Sequence, residues 1–306
     1  MQAQRNLGNT KENPSVGCVI SHNNNLISAA CTGVNGRPHA EQNAIKFCKY
    51  NLKNTSLFVT LEPCSHYGKT KPCVKSIIKN KFNKVFFSIK DPDIRSYNKS
   101  KKILKKYKIK VKENIFAQEI KPFYNSYFKF KSNKLPFITA KIAVSKDLFL
   151  NNKKNKWTTN VYSRGRVHLM RSSHDCILTS VKTVISDNPL LNCRIAGLEK
   201  TSPTRVILDK KLKIPLNSKI VKSSKKHKTI VFFNKNNKKK IQALKQFKIK
   251  AIKFPINDNG DFELKKILAK IKLLGFSRIF LESGLNLFTN FLKYNAILPR
   301  RKLVGS

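Results

Sequence analysis

Two consecutive α/β domains are the fold class that the sequence predicts, on three observations. The chain has 306 residues, and a length of about 300 supports roughly two domains. Its 40% hydrophobic content is enough to bury cores, so wholesale disorder is excluded in spite of the charge. Short apolar runs of strand character alternate with segments of helical spacing, the pattern of sheets covered by helices.

In the first domain, residues 16–20 and 26–30 read as strands flanking the polar turn His22-Asn23-Asn24-Asn25, a hairpin. A helix follows Pro38, because Ala40, Ala44, Ile45, Phe47 and Cys48 recur at helical spacing. Leu57-Phe58-Val59-Thr60-Leu61 reads as a buried strand. After Pro72 comes a helix with Val74, Ile77 and Ile78 on one face, and residues 84–89 form another strand. The order β-β-α-β-α-β makes a three-layer α/β/α sandwich. From about Glu113 to Lys134 the Phe-, Tyr- and Lys-rich chain reads as a helix followed by a polar connector. The expected division is 1–117 for the first domain, 118–134 for the connector and 135–306 for the second domain. The second block opens on Leu135-Pro136-Phe137-Ile138-Thr139-Ala140. Its strands continue at residues 176–178, 204–208, 229–233 and 278–281, with helical patterns between them. Asn234 to Lys240 reads as a solvated loop or a helix start. No internal repeat is visible.

The formal net charge is +47, from 63 Lys+Arg against 16 Asp+Glu. Such a field attracts phosphate polymers. The excess is spread over nearly the whole chain, however, and comes with abundant Asn and Ile, the signature of AT-rich coding rather than of a selected surface. No run of eighteen apolar residues occurs, which argues against a membrane-spanning helix. The start, Met1-Gln2-Ala3-Gln4-Arg5, has no apolar stretch behind it, unlike a secretory signal. Seven cysteines, an odd number without a signal, point to a reducing, cytoplasmic setting and to metal-binding or structural thiols.

The residues that carry chemistry are Pro38-His39-Ala40-Glu41 and the run from Glu62-Pro63-Cys64 to Pro72-Cys73. His39, Cys64 and Cys73 offer one imidazole and two thiolates. Three protein ligands leave the fourth tetrahedral position of zinc open, the catalytic rather than the structural pattern. His39 and Cys73 fall at predicted helix starts, where free N–H groups favour thiolate. Glu41 is not an obvious ligand, but a carboxylate beside the metal can take and pass on a proton. His-x-Glu followed by Pro-Cys and a further Cys is the zinc nucleobase-deaminase signature. The bland alternative is a zinc clip, for which His66 would be the only further ligand between the cysteines.

Glu12-Asn13-Pro14-Ser15-Val16-Gly17-Cys18-Val19-Ile20, Pro38-His39-Ala40-Glu41 and the stretch from Val59 to Cys73 closely resemble the bifunctional riboflavin-biosynthesis deaminase–reductase family. Eight residues separate Cys64 from Cys73, where base-editing and cytidine deaminases have two. The resemblance implies a cytidine-deaminase-like first domain that hydrolytically deaminates 2,5-diamino-6-(5-phosphoribosylamino)pyrimidin-4(3H)-one, with Zn2+ as cofactor and Glu41 as the catalytic proton shuttle. It also implies that Asn13 hydrogen-bonds the substrate. Lys69 and His66 are candidate phosphate or ring contacts, or equally solvated loop residues.

The second domain resembles the same family's reductase, of dihydrofolate-reductase-like α/β fold. The matching stretches are residues 140–147, Lys156-Trp157-Thr158-Thr159, residues 171–180, residues 183–194 and Leu281-Glu282-Ser283-Gly284. The resemblance implies NADPH-dependent reduction of ribosyl to ribityl in 5-amino-6-(5-phosphoribosylamino)uracil. Ala143, Trp157, Thr183, Asp187 and Gly284 would face NADPH. Asn155, Arg171, Leu191, Arg194 and Glu282 would face the substrate. Two arginines suit a phosphate because their forks match its oxygens.

Relative to that family the chain departs at both ends, so its first helix is expected to be clipped and its reductase sheet C-terminally incomplete. The turn Ser145-Lys146-Asp147-Leu148 has Leu where the family has Gly. The expected partners are a small-molecule phosphoribosyl pyrimidine and other copies of the chain in a homo-oligomer, with no membrane and no nucleic acid. The rival readings are a deaminase with an inactive reductase remnant, a nucleic-acid base deaminase, and a non-catalytic basic nucleic-acid-binding protein with structural zinc.

Overall fold

The structure is a computed structural model and describes residues 2–132, 135–142 and 161–293. The chain divides into two compact units, Met1–Lys134 and Leu135–Ser306.

The first unit is built on strands β1 (Gly17–His22), β2 (Asn25–Cys31), β3 (Ser56–Leu61), β4 (Lys84–Ile89) and β5 (Lys110–Glu113), in the order β2-β1-β3-β4-β5. The hairpin β1/β2 and the pair β1/β3 are antiparallel, whereas β3/β4 and β4/β5 are parallel. Parallel neighbours need crossovers, supplied here by helices α2 (Cys73–Lys79) and α3 (Lys99–Lys106), while α1 (Ala40–Phe47) joins β2 to β3 and α4 (Ala117–Ser132) follows β5. Ile20 lies opposite both Ser28 and Leu57 in the sheet. On that face Ser28 Oγ donates to Ala44 O of α1 at 2.7 Å. The opposite face carries Thr60, whose hydroxyl meets the Tyr124 hydroxyl of α4 at 2.6 Å. Helices therefore cover both faces, giving three layers. Fully buried Ile20, Leu57, Ile77 and Leu104 fill the core, at about 1.5–3 kcal/mol each.

The helix expected between about Glu113 and Lys134 is α4, which runs from Ala117 to Ser132 and so takes up most of the stretch set aside as connector. Its Tyr124 and Tyr127 are buried in the first unit's core, so the chain there is paired structure rather than a linker. The sequence reading also passed over α3, β5 and, in the second unit, the strand Lys250–Lys253. Both missed strands are lysine-rich and occupy sheet edges, where charge blocks further pairing.

The second unit's described strands are β6 (Phe137–Lys141), β7 (Cys176–Ser180), β8 (Thr204–Leu208), β9 (Thr229–Phe233), β10 (Lys250–Lys253) and β11 (Arg278–Glu282). Their order is β10-β9-β8-β7-β11-β6, all parallel. Helices α5 (Val161–Ser172), α6 (Val181–Asp187), α7 (Lys219–Lys222), α8 (Lys238–Gln246), α9 (Leu264–Leu273) and α10 (Leu285–Lys293) connect and flank them. A parallel sheet is covered on both faces, and β9 is accordingly buried at every position. Asn237 caps α8 by accepting from Lys240 N at 3.0 Å, so the Lys/Asn-rich run is a helix start. Chain order reverses between β7 and β11. Such a reversal leaves a crevice outside the carboxyl ends of the two strands, where ligands bind in open parallel sheets.

Candidate functional site

In the first unit, α1 begins at Ala40 with His39 as its N-cap, and α2 begins at Cys73. Cys64 follows β3 directly. These local starts bring three donors together: His39 Nδ1 lies 3.5 Å from Cys64 Sγ and 3.4 Å from Cys73 Sγ. All three ligand atoms fall within 4.8 Å of one another. A tetrahedral zinc ion with bonds of about 2.0–2.3 Å needs donors spaced in this way, so the set fits zinc. Cys64 is the thiol held as thiolate. It accepts from Cys73, including the Cys73 backbone N–H at 3.2 Å, and from His39, and its pKa falls to about 4. The same pairing pushes Cys73 up. The hydrogen bond to Cys64 also raises His39.

Glu41 is 4% exposed and lines the same cavity, of about 400 Å³, as His39 and Cys64. Burial, and next the Cys64 charge, push it to about 7, a range in which a carboxyl both takes and gives a proton near neutrality. Asn13, His66 and Lys69 line the cavity too. Asn13 Nδ2 donates to Gly36 O at 3.0 Å, and His66 Nδ1 lies 2.8 Å from Ser96 Oγ.

Several cavity residues escaped the sequence reading. Asp91, Asp93 and Arg95 enter from the segment after β4, and Tyr127 and Lys131 from α4. Asp93 accepts from Arg95 Nη2 at 2.6 Å and Lys131 Nζ at 3.0 Å. These cations, Arg95 first, hold it well below the usual carboxylate range. Asp91 accepts from the Tyr127 hydroxyl at 3.0 Å, and burial raises it to about 6. Glu62 ties this segment down. It accepts from Asp91 N, Asn98 N, Ser100 N and Ser100 Oγ at 2.8–3.3 Å. The one sequence signal was Asp91-Pro92-Asp93 at the carboxyl end of a parallel strand, where ligand-binding loops gather.

In the second unit, the residues expected at the substrate meet around Asn192. Arg171 Nη2 and Nε donate to the two Glu282 carboxylate oxygens at 2.8 and 3.0 Å, and Nη1 donates to Asn192 O at 3.0 Å. Arg194 Nη1 donates to Asn192 Oδ1 at 3.1 Å, and Leu191 is buried between them in sequence. The two arginines thus differ in their work. The fork of Arg171 is turned onto Glu282, whereas Arg194 is exposed.

Thr183 and Gly284 meet at the β7/β11 crevice, where Gly284 N donates to Thr183 Oγ1 at 3.3 Å. A Cβ placed on Gly284 would meet nothing within 4 Å, so the backbone is open to a bound group. This fits a dinucleotide at the strand ends. Asp187 sits one helical turn beyond Thr183, exposed. Ala143, Asn155 and Trp157, like Leu148 in its turn, lie outside the described residues.

Comparison with known proteins gives two family matches. The description "RibD C-terminal domain" matches residues 136–297, and "Cytidine and deoxycytidylate deaminase zinc-binding region" matches residues 1–89. The riboflavin biosynthesis protein RibD of Aquifex aeolicus is 32% identical over 293 residues, covering 95% of this chain and 80% of that protein. The structure of Acinetobacter baumannii RibD superposes with a TM-score of 0.81 at 28% identity, covering 98% of this chain and 85% of that one. A Thermotoga maritima protein described as a diaminohydroxyphosphoribosylaminopyrimidine deaminase/5-amino-6-(5-phosphoribosylamino)uracil reductase superposes equally, with a TM-score of 0.81, 27% identity and coverage of 96% and 81%.

Proposed function

The chain belongs to the RibD family of riboflavin-biosynthesis enzymes, and from this premise we propose how its own residues divide a deaminase and a reductase between its two units. It is a bifunctional enzyme whose cofactors are Zn2+ and NADPH. The proposed substrates are the diaminopyrimidine phosphoribosyl compound for the first unit and 5-amino-6-(5-phosphoribosylamino)uracil for the second. The setting is cytoplasmic, consistent with seven free thiols. The acting partner is a small molecule rather than a nucleic acid, with the diffuse positive charge serving to attract anionic substrates.

His39, Cys64 and Cys73 would hold the zinc. When bound, zinc supplies Lewis acidity that brings the pKa of a water molecule towards neutrality. Glu41 takes one proton from the attacking water and gives it to the pyrimidine ring nitrogen, then carries the second, from the new C–OH, to the departing amine, so that ammonia leaves. Asn13 and Asp91 offer hydrogen-bonding groups to the ring's polar edge. Lys69 and Arg37, at the same cavity, complement a phosphate.

In the second unit Thr183, Asp187 and Gly284, with Ala143 and Trp157, would hold NADPH, which supplies the hydride when bound. Arg194 takes the substrate phosphate. Glu282, steered by Arg171, faces the sugar, and Leu191 and Asn155 complete the substrate side.

The observation that carries this reading is the cluster of one imidazole and two thiols, His39, Cys64 and Cys73, with the buried Glu41 carboxyl lining the same cavity as His39 and Cys64. The test is incubation of the zinc-loaded protein with the diaminopyrimidine substrate, with and without NADPH. Deaminated product is expected without NADPH and ribityl product with it. No ammonia release would overturn the deaminase assignment, and deaminated product alone in both reactions would overturn the reductase assignment.

A further inference from the structure

Arg205, in β8, is the largest of the fully buried side chains among the described residues, with 0% exposure. A buried guanidinium normally sits on a carboxylate. The hydrogen-bond partners of this one are all neutral. Nε donates to Thr229 Oγ1 at 3.1 Å, Nη1 to Leu190 O at 3.0 Å and Ser223 Oγ at 2.8 Å. Nη2 donates to Ile220 O at 2.9 Å, His227 O at 2.7 Å and Thr229 Oγ1 at 2.7 Å. An apolar side chain of similar volume fills such a space at lower cost. The donors themselves are what this position uses. Three of their targets are backbone carbonyls in separate segments of the unit.

The Leu190 carbonyl is the informative one. Leu191, the next residue, is 3% exposed and holds a left-handed backbone with φ +50. A bulky side chain stays in that region only where its surroundings over-determine it. Here the restraint comes from both sides. Arg205 grips the carbonyl of Leu190. Arg171 Nη1 grips the carbonyl of Asn192 at 3.0 Å, which also lies 3.0 Å from His168 Nδ1. Beyond it Cys193 N donates to Ser202 Oγ at 3.1 Å. His227, whose carbonyl Arg205 also holds, places its Nε2 3.4 Å from Asn192 Nδ2.

We infer that Arg205 is a positioning residue of the reductase: by holding Leu190 O it fixes the strained segment that presents Leu191 and Arg194 to the phosphoribosyl substrate, without touching that substrate. This rests on the reading above that Leu191 and Arg194 face the substrate. Lysine at this position keeps the charge but has three donors on one nitrogen and cannot span the same acceptors.

The test uses the full chain with Arg205→Lys and, as a milder change, Ser223→Ala, which removes one of the groups that orient the guanidinium. In steady-state reductase assays the substrate KM is expected to rise about tenfold for Arg205→Lys and a few-fold for Ser223→Ala. The NADPH KM and the deaminase rate should stay at wild-type values. In hydrogen exchange, a peptide covering 189–194 should exchange faster in both variants than in wild type, while a peptide covering β7 does not change. An unchanged substrate KM and unchanged exchange at 189–194 in folded Ser223→Ala overturn the inference, even if Arg205→Lys fails to fold. A fall in kcat with both KM values unchanged reveals a merely structural plug and overturns it too. Faster exchange in the variants of a wild type that turns over no substrate with NADPH would sink the reductase reading and leave the restraint on Leu191 standing.

Discussion

Replacing Tyr127 with phenylalanine removes one hydroxyl from the wall of the deaminase cavity, and its effect should depend on pH. Tyr127 and Asp91 are 9% and 6% exposed, and the phenol donates to Asp91 Oδ1 at 3.0 Å. Burial pushes Asp91 up to about 6, opposed by the Asp93 N–H and the Tyr127 hydroxyl. A hydrogen bond to a charged acceptor contributes about 1.5–3 kcal/mol, against about 0.5–1.5 kcal/mol for a neutral one. The difference, at about 1.4 kcal/mol per pH unit, raises Asp91 by about one further unit in Tyr127→Phe. The folded pKa already stands above an unfolded value of about 3.9. Protonated Asp91 therefore contributes stability that is fully present below pH ~4 and is lost as pH rises through the folded value. In the variant that loss extends to about pH 7. Urea unfolding of both proteins at pH 5 and pH 8 measures this. The variant should be weaker by about 2 kcal/mol at pH 8, where Asp91 is ionised, and by about 1 kcal/mol at pH 5, where it is protonated. Equal destabilisation at the two pH values would refute the reasoning, because the bond would then not be to a titrating carboxylate.

Glu41→Gln should keep its zinc by metal analysis yet lose about 10²–10⁴ in deamination, with the reductase rate unchanged; undiminished turnover would remove Glu41 from the proton path. Cys73→Ser should carry less zinc than wild type, and full retention would reject it as a ligand. Gly36 has φ +82, and a Cβ there would come within 2.5 Å of Thr10 O and Asn13 Nδ2. Gly36→Ala should therefore cost about 1–3 kcal/mol in unfolding experiments and raise the deaminase KM by displacing Asn13. Arg194→Ala should raise the reductase KM for the phosphoribosyl substrate about tenfold and leave that for NADPH alone, as expected for loss of a phosphate contact.

The candidate zinc ligands were legible because each sits at a local landmark. His39 and Cys73 fall where a helix starts after proline, and Cys64 follows a strongly apolar strand. Asp91 and Asp93 carried only the weak mark of a turn after an apolar strand, and Tyr127 and Lys131 carried none. Their place in the cavity comes from the end of β4 and from α4 packing on the sheet face that bears Thr60, with nothing in their own spacing to announce it. The edge strands β5 and β10 were hidden for a related reason. Lys110 and Lys112, and Lys250 and Lys253, leave each strand of four residues with no fully buried position, too little apolar signal to announce a strand.

By itself the sequence determined two α/β units and picked out the three donors, His39, Cys64 and Cys73, that the fold brings together, all properties of short-range order. Only the tertiary structure decided that the Arg171 fork faces Glu282, 111 residues away, while Arg194 is left exposed. It alone revealed a buried arginine, Arg205, whose hydrogen-bond partners are all neutral and include three backbone carbonyls. Residue type and spacing describe what a side chain can donate. Which acceptor it meets depends on strands and loops brought together from distant parts of the chain, because burial forces each donor to find a partner there.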